Sequence, residues 1–214
     1  MPLSALPFPD SFPVFPLTGA LLLPGGKLPL NIFEQRYLAL VDDALAAGRM
    51  FGMIQPDPVL ADGANGPALY RVGCLGRLVS FSETEDGRYL ITLLGVARFQ
   101  VVEELPMRQG YRRVQAHKLP FAAGLAADRF DRAGLLAALR PFFTRHGMDV
   151  NWDSVERMPL EALITTLAMV CPFDPAEKQA LLECDGVEAQ AAALLTLLRM
   201  DAYAIADVPH HGFS

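Results

Sequence analysis

The fold of this chain is decided by residues 70–101, whose sequence is YRVGCLGRLVSFSETEDGRYLITLLGVARFQV. Two arms rich in alternating apolar residues flank Asp86-Gly87, and this dipeptide favours a tight hairpin turn because glycine adopts positive φ without a Cβ clash. The arms also contain three internal glycines, Gly73, Gly76 and Gly95. Internal glycines are typical of the bulges that curl a sheet towards a closed barrel. The stretch therefore predicts a long antiparallel hairpin within a curved sheet.

Shorter segments around this hairpin complete the predicted sheet. We expect four such strands, at residues 13–17, 28–33, 51–54 and 111–118. The first two flank a turn at Pro24-Gly25-Gly26, and Pro29 indicates that the second is an edge strand or begins there. From Glu34 the apolar spacing becomes that of a helix, which ends at Gly48. The first half is thus predicted to be a small, mostly antiparallel β-barrel with one inserted helix.

The second half is rich in Ala and Leu at helical spacing. We predict four helices, at residues 130–143, 160–170, 174–186 and 187–205. The third has an acidic N-cap, a proline in its first turn and a second acid at Glu177, which together are typical of a helix start. The chain is therefore predicted to be of the α+β class. Its predicted parts are a barrel subdomain at residues 1–120, a helical bundle at 121–206 and a flexible tail at 207–214.

Composition and charge restrict the class of protein. The chain has 214 residues, of which 52% are hydrophobic, and a net charge of −6. A negative charge disfavours broad binding to nucleic acids or anionic membranes, and no apolar run approaches the ~20 residues of a membrane span. No basic residue precedes Lys27, so we expect no signal peptide. Three widely spaced cysteines indicate reduced thiols. We expect a soluble, cytoplasmic protein.

Sequence motifs for catalysis and cofactor binding are missing. The chain contains no GxxxxGK[ST], GxGxxG, GxSxG or HExxH pattern. Its four histidines and three cysteines do not form the closely spaced pairs that structural zinc requires, and His210-His211 is expected to be solvated. We therefore predict a protein that is not an enzyme and that uses no cofactor or metal.

A basic cluster in and just before the last predicted strand is a candidate nucleic-acid site. The cluster comprises Arg108, Arg112, Arg113, His117 and Lys118. Strand alternation places Arg113 and His117 on one face and Arg112 and Lys118 on the other. Because charge is divided between two faces and stacking aromatics are not interleaved, we interpret the cluster as a solvated edge rather than an RNA groove.

The most specific polar constellation stands at the junction of the second strand and the first helix. Glu34 lies where a carboxylate meets free backbone amides and the positive end of the helix dipole. One interpretation is that Glu34 caps the helix and Arg36 pairs with a carboxylate of the barrel. The other is that this corner docks a polypeptide, with Phe33, Arg36 and Tyr37 as contacts. The residues themselves favour the first interpretation.

Several of these segments resemble the amino-terminal domain of Lon proteases. The resemblance is carried by Phe15-Pro16-Leu17, by residues 23–37, by Gly73–Arg77, by Asp86–Thr92, by Gly95 and by Arg98-Phe99. Its motif includes Pro24, Gly25, Pro29, Glu34 and Gly87. Residues 177–183 resemble a helix with a KQ-LLE pattern found in free-standing bacterial members. The resemblance implies a PUA-like β-barrel followed by a helical bundle, and a role in recognising substrate polypeptides and in assembly. The ATPase and Ser-Lys protease chemistry of Lon is not encoded in these residues.

The sequence therefore predicts a non-catalytic module that captures exposed apolar or extended polypeptide segments through apolar pockets and strand-edge pairing. Alternatives are an adaptor or regulator that binds one folded partner, a PUA-like RNA-binding module, and a hydrolase whose titratable groups meet only in the fold. The expected partners are unfolded polypeptides or one specific protein, without nucleic acid or membrane. The oligomeric state stays open.

Overall fold

A computed structural model describes residues 8–122, 124 and 130–203. The described part contains six strands, β1 (Ser11–Pro16), β2 (Lys27–Ile32), β3 (Met50–Ile54), β4 (Val72–Glu83), β5 (Tyr89–Arg108) and β6 (Tyr111–Lys118). Its helices are α1 (Gln35–Ala46), α2 (Arg132–Arg145), α3 (Trp152–Arg157), α4 (Leu160–Val170), α5 (Pro175–Glu183) and α6 (Val187–Tyr203). The predicted tail at 207–214 and the predicted end of the last helix at residue 205 lie outside the described residues.

The chain divides into two compact units. The first comprises residues 1–121 and 173–183, and the second comprises residues 122–172 and 184–214. All six strands belong to the first unit, together with α1 and α5. The prediction of an α+β chain is confirmed.

The sheet is mixed, which corrects the antiparallel PUA-like barrel expected from the sequence. Its strand order is β2-β5-β4-β3-β1-β6, with an additional pairing between β5 and β6. Strands β1 and β3 are parallel, and the other pairs are antiparallel. The chain leaves β1, forms β2 on the far side of β5, and returns through α1 before β3 begins. Parallel neighbouring strands require a long crossover connection, and here β2 and α1 lie within it. Strand β2 pairs with β5 and not with β1.

The central hairpin of β4 and β5 is confirmed. Gly87 has a φ of 76°, as the Asp86-Gly87 turn requires. The register shifts between Leu75 and Gly76, one of the glycines proposed to mark a bulge. At Gly95 a Cβ atom would lie 2.0 Å from the carbonyl oxygen of Leu23, so only glycine allows this approach. Strand β5 continues to Arg108, beyond its predicted end at residue 101.

Helix α1, predicted to run from Glu34 to Gly48, is observed at Gln35–Ala46, so it begins one residue later and ends two residues earlier than predicted. Its buried face consists of Tyr37, Leu40, Val41 and Ala44. A cluster of buried residues forms the core between the strands, and it contains Phe12, Val14, Ile54, Leu75, Phe99 and Val114. Fully burying side chains of this size contributes about 1.5–3 kcal/mol each, so this cluster stabilises the first unit.

Buried polar side chains attach α5 to the sheet of the first unit. Gln179 is buried, and its Nε2 donates to the carbonyl oxygen of Val72 at 3.1 Å. Gln55 is also buried, and its Nε2 donates to Gln179 Oε1 at 3.2 Å. Lys178 Nζ donates to the carbonyl oxygen of Gly19 at 2.8 Å. The KQ-LLE pattern therefore has a structural basis, since its polar residues bond to the strands and their connections.

The second unit contains α2, α3, α4 and α6, of which α2 and α4 both contact α6. Helix α3 was not predicted, because its six residues include no buried side chain and so leave no apolar stripe. Asn151 begins this helix by accepting a hydrogen bond from the Ser154 amide at 3.0 Å. Over the described part of the chain, no helix is both long and apolar enough to cross a bilayer.

Candidate functional site

The junction of β2 and α1 places the predicted contact residues at the surface of the first unit. The side chain of Phe33 is 63% exposed. Glu34 is the N-cap residue of α1, but its side chain makes no capping hydrogen bond. Its Oε2 instead lies 2.8 Å from Arg36 Nη2, and both side chains are about half exposed. Arg36 thus pairs with Glu34, two residues before it, and not with a carboxylate of the barrel as the first interpretation expected.

Tyr37 connects this junction to the core. Its ring stacks on Phe15 with 3.9 Å between centroids and 19° between planes. The guanidinium of Arg36 lies 4.5 Å from the centre of the Tyr37 ring, within the range of a cation–π contact. Burial raises the pKa of the Tyr37 hydroxyl, and the positive charge of Arg36 opposes this. The tyrosine therefore stays a neutral aromatic wall at physiological pH.

A cavity of about 170 Å³ opens beside these residues, and we name it the Tyr37 pocket. It is lined by Pro16, Arg36, Tyr37, Pro56, Asn65, Pro67, Gly110, Tyr111 and Arg112. These residues come from the end of β1, the first turn of α1, the connection after β3, the turn between β5 and β6, and the start of β6. The structure thus brings two of the three predicted contacts, Arg36 and Tyr37, to one pocket, whereas Phe33 is not among the lining residues.

Arg112 fixes one wall of the Tyr37 pocket. Its side chain is 9% exposed, and its Nη2 and Nε donate to the two carboxylate oxygens of Glu104 at 2.5 and 3.0 Å. Its Nη1 donates to the carbonyl oxygen of Pro67 at 2.6 Å. Asn65 Nδ2 donates to Glu104 Oε2 at 3.1 Å. The interpretation of Arg112 as part of a solvated edge is wrong, because the guanidinium is buried and holds the connection between β3 and β4.

Tyr111 also lines the pocket, and its hydroxyl donates to Asp43 Oδ2 at 2.5 Å. Gln109 Nε2 and Arg108 Nε reach the same oxygen at 3.1 and 3.2 Å. Burial, followed by the hydrogen bond to Asp43, raises the pKa of Tyr111 to about 12. The β5–β6 turn, at Gln109-Gly110 with positive φ at both residues, is therefore tied to α1.

The other predicted motif residues lie in the backbone framework rather than in the pocket. Gly25 has a φ of 80°, and its amide donates to the carbonyl oxygen of Gly95 at 2.9 Å in the turn that follows Pro24. Pro29 stands in β2 opposite Thr92. Gly87 forms the β4–β5 turn. Gly25, Pro29 and Gly87 thus shape the path of the backbone and do not line the pocket.

Sequence analysis missed most of the pocket wall. Pro56, Asn65 and Pro67 lie in a polar connection that had no periodic signal, and Tyr111 was recognised only as a strand residue. The prolines of the lining, Pro16, Pro56 and Pro67, offered a signal, since the proline ring is apolar and fixes φ.

The pocket is suited to binding. Its three prolines and two tyrosines offer apolar surface, and its two arginines are already paired with carboxylates. The lining includes no Ser, Cys or His. Within residues 8–122, 124 and 130–203, no group of three His, Cys, Asp or Glu side chains is placed to hold a metal ion.

Comparison with known families gives a match over most of the chain. The sequence profile of the family described as "ATP-dependent protease La (LON) substrate-binding domain" matches residues 11–200. The chain is 25% identical over 200 residues to Lon protease 2 of Sorangium cellulosum, which covers 90% of this chain and 25% of that protein. It is 33% identical over 101 residues to Lon protease 2 of Myxococcus xanthus, which covers 44% of this chain and 12% of that protein. The chain thus spans a quarter or less of the length of these two relatives.

Two solved structures share the fold. The Lon N-terminal domain protein from Xanthomonas campestris aligns with a TM-score of 0.57 and 25% identity, over 93% of this chain and 99% of that one. The N-terminal domain of the Mycobacterium avium complex Lon protease aligns with a TM-score of 0.66 and 20% identity, over 88% of this chain and 98% of that one. The second likeness concerns the fold alone.

Proposed function

Because the chain belongs to the family of Lon substrate-binding domains, we propose that it is a non-catalytic module that binds extended polypeptide segments at the Tyr37 pocket. The observation that carries this proposal is an apolar pocket of prolines and tyrosines with a half-exposed cation, Arg36, in its lining. The name of the matching family supports a role in substrate binding.

The pocket is small enough to select one side chain. Binding sites for drug-sized ligands enclose about 300–1,000 Å³, whereas this cavity measures about 170 Å³. Proline and tyrosine walls are already rigid, so little conformational entropy is lost when an apolar side chain enters. We therefore expect one apolar or aromatic residue of an extended segment to anchor binding, with Phe33 adding apolar surface outside the pocket.

Arg36 adds a polar contact to the bound segment. Its ion pair with Glu34 is about half exposed on both sides, and pairs of this kind contribute about 0–1 kcal/mol. A main-chain carbonyl oxygen of the bound segment can accept a hydrogen bond from this guanidinium, because weakening the ion pair with Glu34 costs little free energy. The segment is thus oriented by one hydrogen bond in addition to its apolar anchor.

Strand-edge pairing at β2 contributes less to this proposal. In the described residues β2 pairs with β5 alone, so its other edge is open. Pro29 lacks an amide hydrogen and Lys27 is charged, and both features protect edges against strand addition. We therefore assign binding to the pocket rather than to the edge of β2.

Variants of exposed residues test the site without disturbing the core. We expect Phe33→Ser and Arg36→Gln each to weaken binding of a fluorescently labelled, permanently unfolded polypeptide about fivefold in an anisotropy titration, which corresponds to about 1 kcal/mol. The matched control is Leu90→Ser, because Leu90 is an exposed apolar residue of the same unit outside the pocket lining. Unchanged affinity in both variants, or an equal loss in the control, would contradict the site.

A second candidate, binding to one folded partner, is favoured by an exposed connection. Val59 and Leu60 are 86% and 58% exposed in the segment between β3 and β4. The base of this segment is closed by the Asp57 amide, which donates to the carbonyl oxygen of Ala68 at 2.8 Å. Two adjacent aliphatic side chains on a closed loop form a suitable anchor for an apolar pocket of a partner. Isolation of one stoichiometric native partner, lost in Val59→Ser, would support this candidate.

A further inference from the structure

A second cavity of the first unit is larger than the Tyr37 pocket and differs from it in chemistry. It measures about 280 Å³ and lies between β1, β6 and the C-terminal end of α1. Its apolar surface is contributed by Phe12, Pro13, Ala44, Ala46, Ala47 and Met50. The same cavity is lined by Asp43, Arg108 and Arg113. We name it the Arg113 cavity.

The charged groups of this cavity leave one guanidinium available. Asp43 already accepts hydrogen bonds from the Tyr111 hydroxyl and from Gln109, and it pairs with Arg108 at 3.2 Å. For the Arg113 side chain, by contrast, no hydrogen bond or ion pair is found within the described residues, although its backbone pairs with Pro13 of β1 and with Leu105 of β5. Two arginines and one aspartate give the lining a formal charge of +1, in a chain whose net charge is −6.

An apolar cavity with an available guanidinium fits a carboxylate next to an aliphatic side chain. Within an extended segment, successive side chains point to opposite faces, and those on one face stand about 7 Å apart. A C-terminal residue differs, because its carboxylate and its side chain leave the same Cα atom. Both groups then fit within a cavity below the usual size of a small-molecule site.

We propose that the Arg113 cavity binds the C-terminal residue of a polypeptide, with its carboxylate on Arg113 and its aliphatic side chain against the alanines of α1. This proposal rests on the proposed polypeptide-binding function and deepens it, since it names chains with an exposed aliphatic C-terminus as preferred ligands. The carboxylate receives charge-assisted hydrogen bonds from a planar guanidinium, and Arg108 lines the same cavity. The Tyr37 pocket remains available to a preceding or separate segment.

Peptide pairs that differ only at the chain end test the proposal. The probe is a fluorescein-labelled ten-residue Gly/Ser peptide that ends in Ala-Leu, prepared as the free acid and as the C-terminal amide. We expect the full chain to bind the free acid at least tenfold more tightly than the amide in an anisotropy titration at low salt. The preference decreases as salt is raised, because an exposed ion pair is screened.

Three variants connect this preference to the cavity. Arg113→Gln is expected to remove the difference between acid and amide. Arg71→Gln is the matched control, because Arg71 is exposed in the same unit, lies outside the cavity lining and removes the same charge. Ala46→Leu fills the cavity from an exposed helix position and is expected to weaken binding of the free acid about tenfold at unchanged melting temperature.

The outcomes separate this proposal from the proposed function. Equal affinity for acid and amide, or a preference that survives Arg113→Gln, overturns the chain-end site. If a permanently unfolded polypeptide still binds in that case, the polypeptide-binding function stands. If neither the unfolded polypeptide nor the free-acid peptide binds, both proposals are wrong. Loss of the preference in Arg71→Gln as well as in Arg113→Gln would also overturn it, because the effect would then be one of net charge.

Discussion

Tyr111 shows how a single residue can hold two cavities in place. Its side chain is fully buried, its hydroxyl bonds to Asp43 of α1, and its ring lines both the Tyr37 pocket and the Arg113 cavity. A buried hydroxyl that donates to a carboxylate is stabilised in its protonated form. The geometry of both cavities therefore depends on the protonation state of one group, the Tyr111 hydroxyl.

This dependence predicts a loss of stability at high pH. The folded state raises the pKa of Tyr111 to about 12, above the ordinary value of 10, so the unfolded chain releases the proton first. The free energy of unfolding should be unaffected by this group below pH 10. Between pH 10 and 12 it should decrease by up to about 1.4 kcal/mol per pH unit. Urea titrations at pH 9 and pH 11 measure the change. Tyr111→Phe should lose less stability between these two values than the natural chain, and an equal loss would contradict the assignment.

At the scale of secondary-structure elements, a few buried polar side chains hold the connections against the strands. The segment between β3 and β4 is held by Arg112, whose bonds to Glu104 and Pro67 span 8 and 45 residues of sequence. Removing one partner of a buried ion pair leaves an uncompensated charge, and this costs more than the pair itself contributes.

Glu104→Gln is therefore expected to destabilise the first unit. We expect a loss of about 2 kcal/mol, below the 3–5 kcal/mol of fully buried pairs, because the Glu104 side chain is 30% exposed. The matched control is Glu156→Gln, which breaks the pair with Arg140 on the surface and should cost less than about 1 kcal/mol. Urea midpoints of both variants provide the comparison. Equal effects would show that Arg112 does not depend on its carboxylate.

The sequence was sufficient for elements with local signals. The Asp86-Gly87 turn, the apolar face of α1 and the start of α5 at Asp174 each follow from residues within one turn or hairpin. The parallel pairing of β1 with β3 could not be predicted, because strand order depends on contacts between distant segments. Helix α3 lacked an apolar stripe, and the exposed end of β5 lacked alternation. At the site, Arg36 and Tyr37 stood out in one motif, whereas Arg112 required knowledge of its distant partners.

At the scale of the whole molecule, α5 belongs to the same unit as the sheet although 56 residues separate it from β6. Gln179 contributes to this attachment together with Lys178, since its side chain bonds to Val72 and to Gln55 of the sheet and its connections. The division of the chain at residue 120 stays a proposal, and a fragment that ends there would lack this helix.

Gln179→Ala is expected to reduce the free energy of unfolding by about 2–3 kcal/mol. The substitution leaves the carbonyl oxygen of Val72 without its side-chain donor, and each buried polar group left unsatisfied costs about 1–3 kcal/mol. The matched control, Gln115→Ala, changes an exposed glutamine of β6 and should alter stability by less than about 0.5 kcal/mol. Chemical denaturation of both variants tests this, and a Gln179 variant as stable as its control would contradict the attachment.

The central claim, that this chain binds extended polypeptide segments, is tested most directly by one comparison. A fluorescently labelled, permanently unfolded polypeptide is titrated with the full chain, and the folded form of the same polypeptide is titrated in parallel. The account predicts micromolar binding to the unfolded form and none to the folded form. Binding to neither form, or equal binding to both, would contradict it.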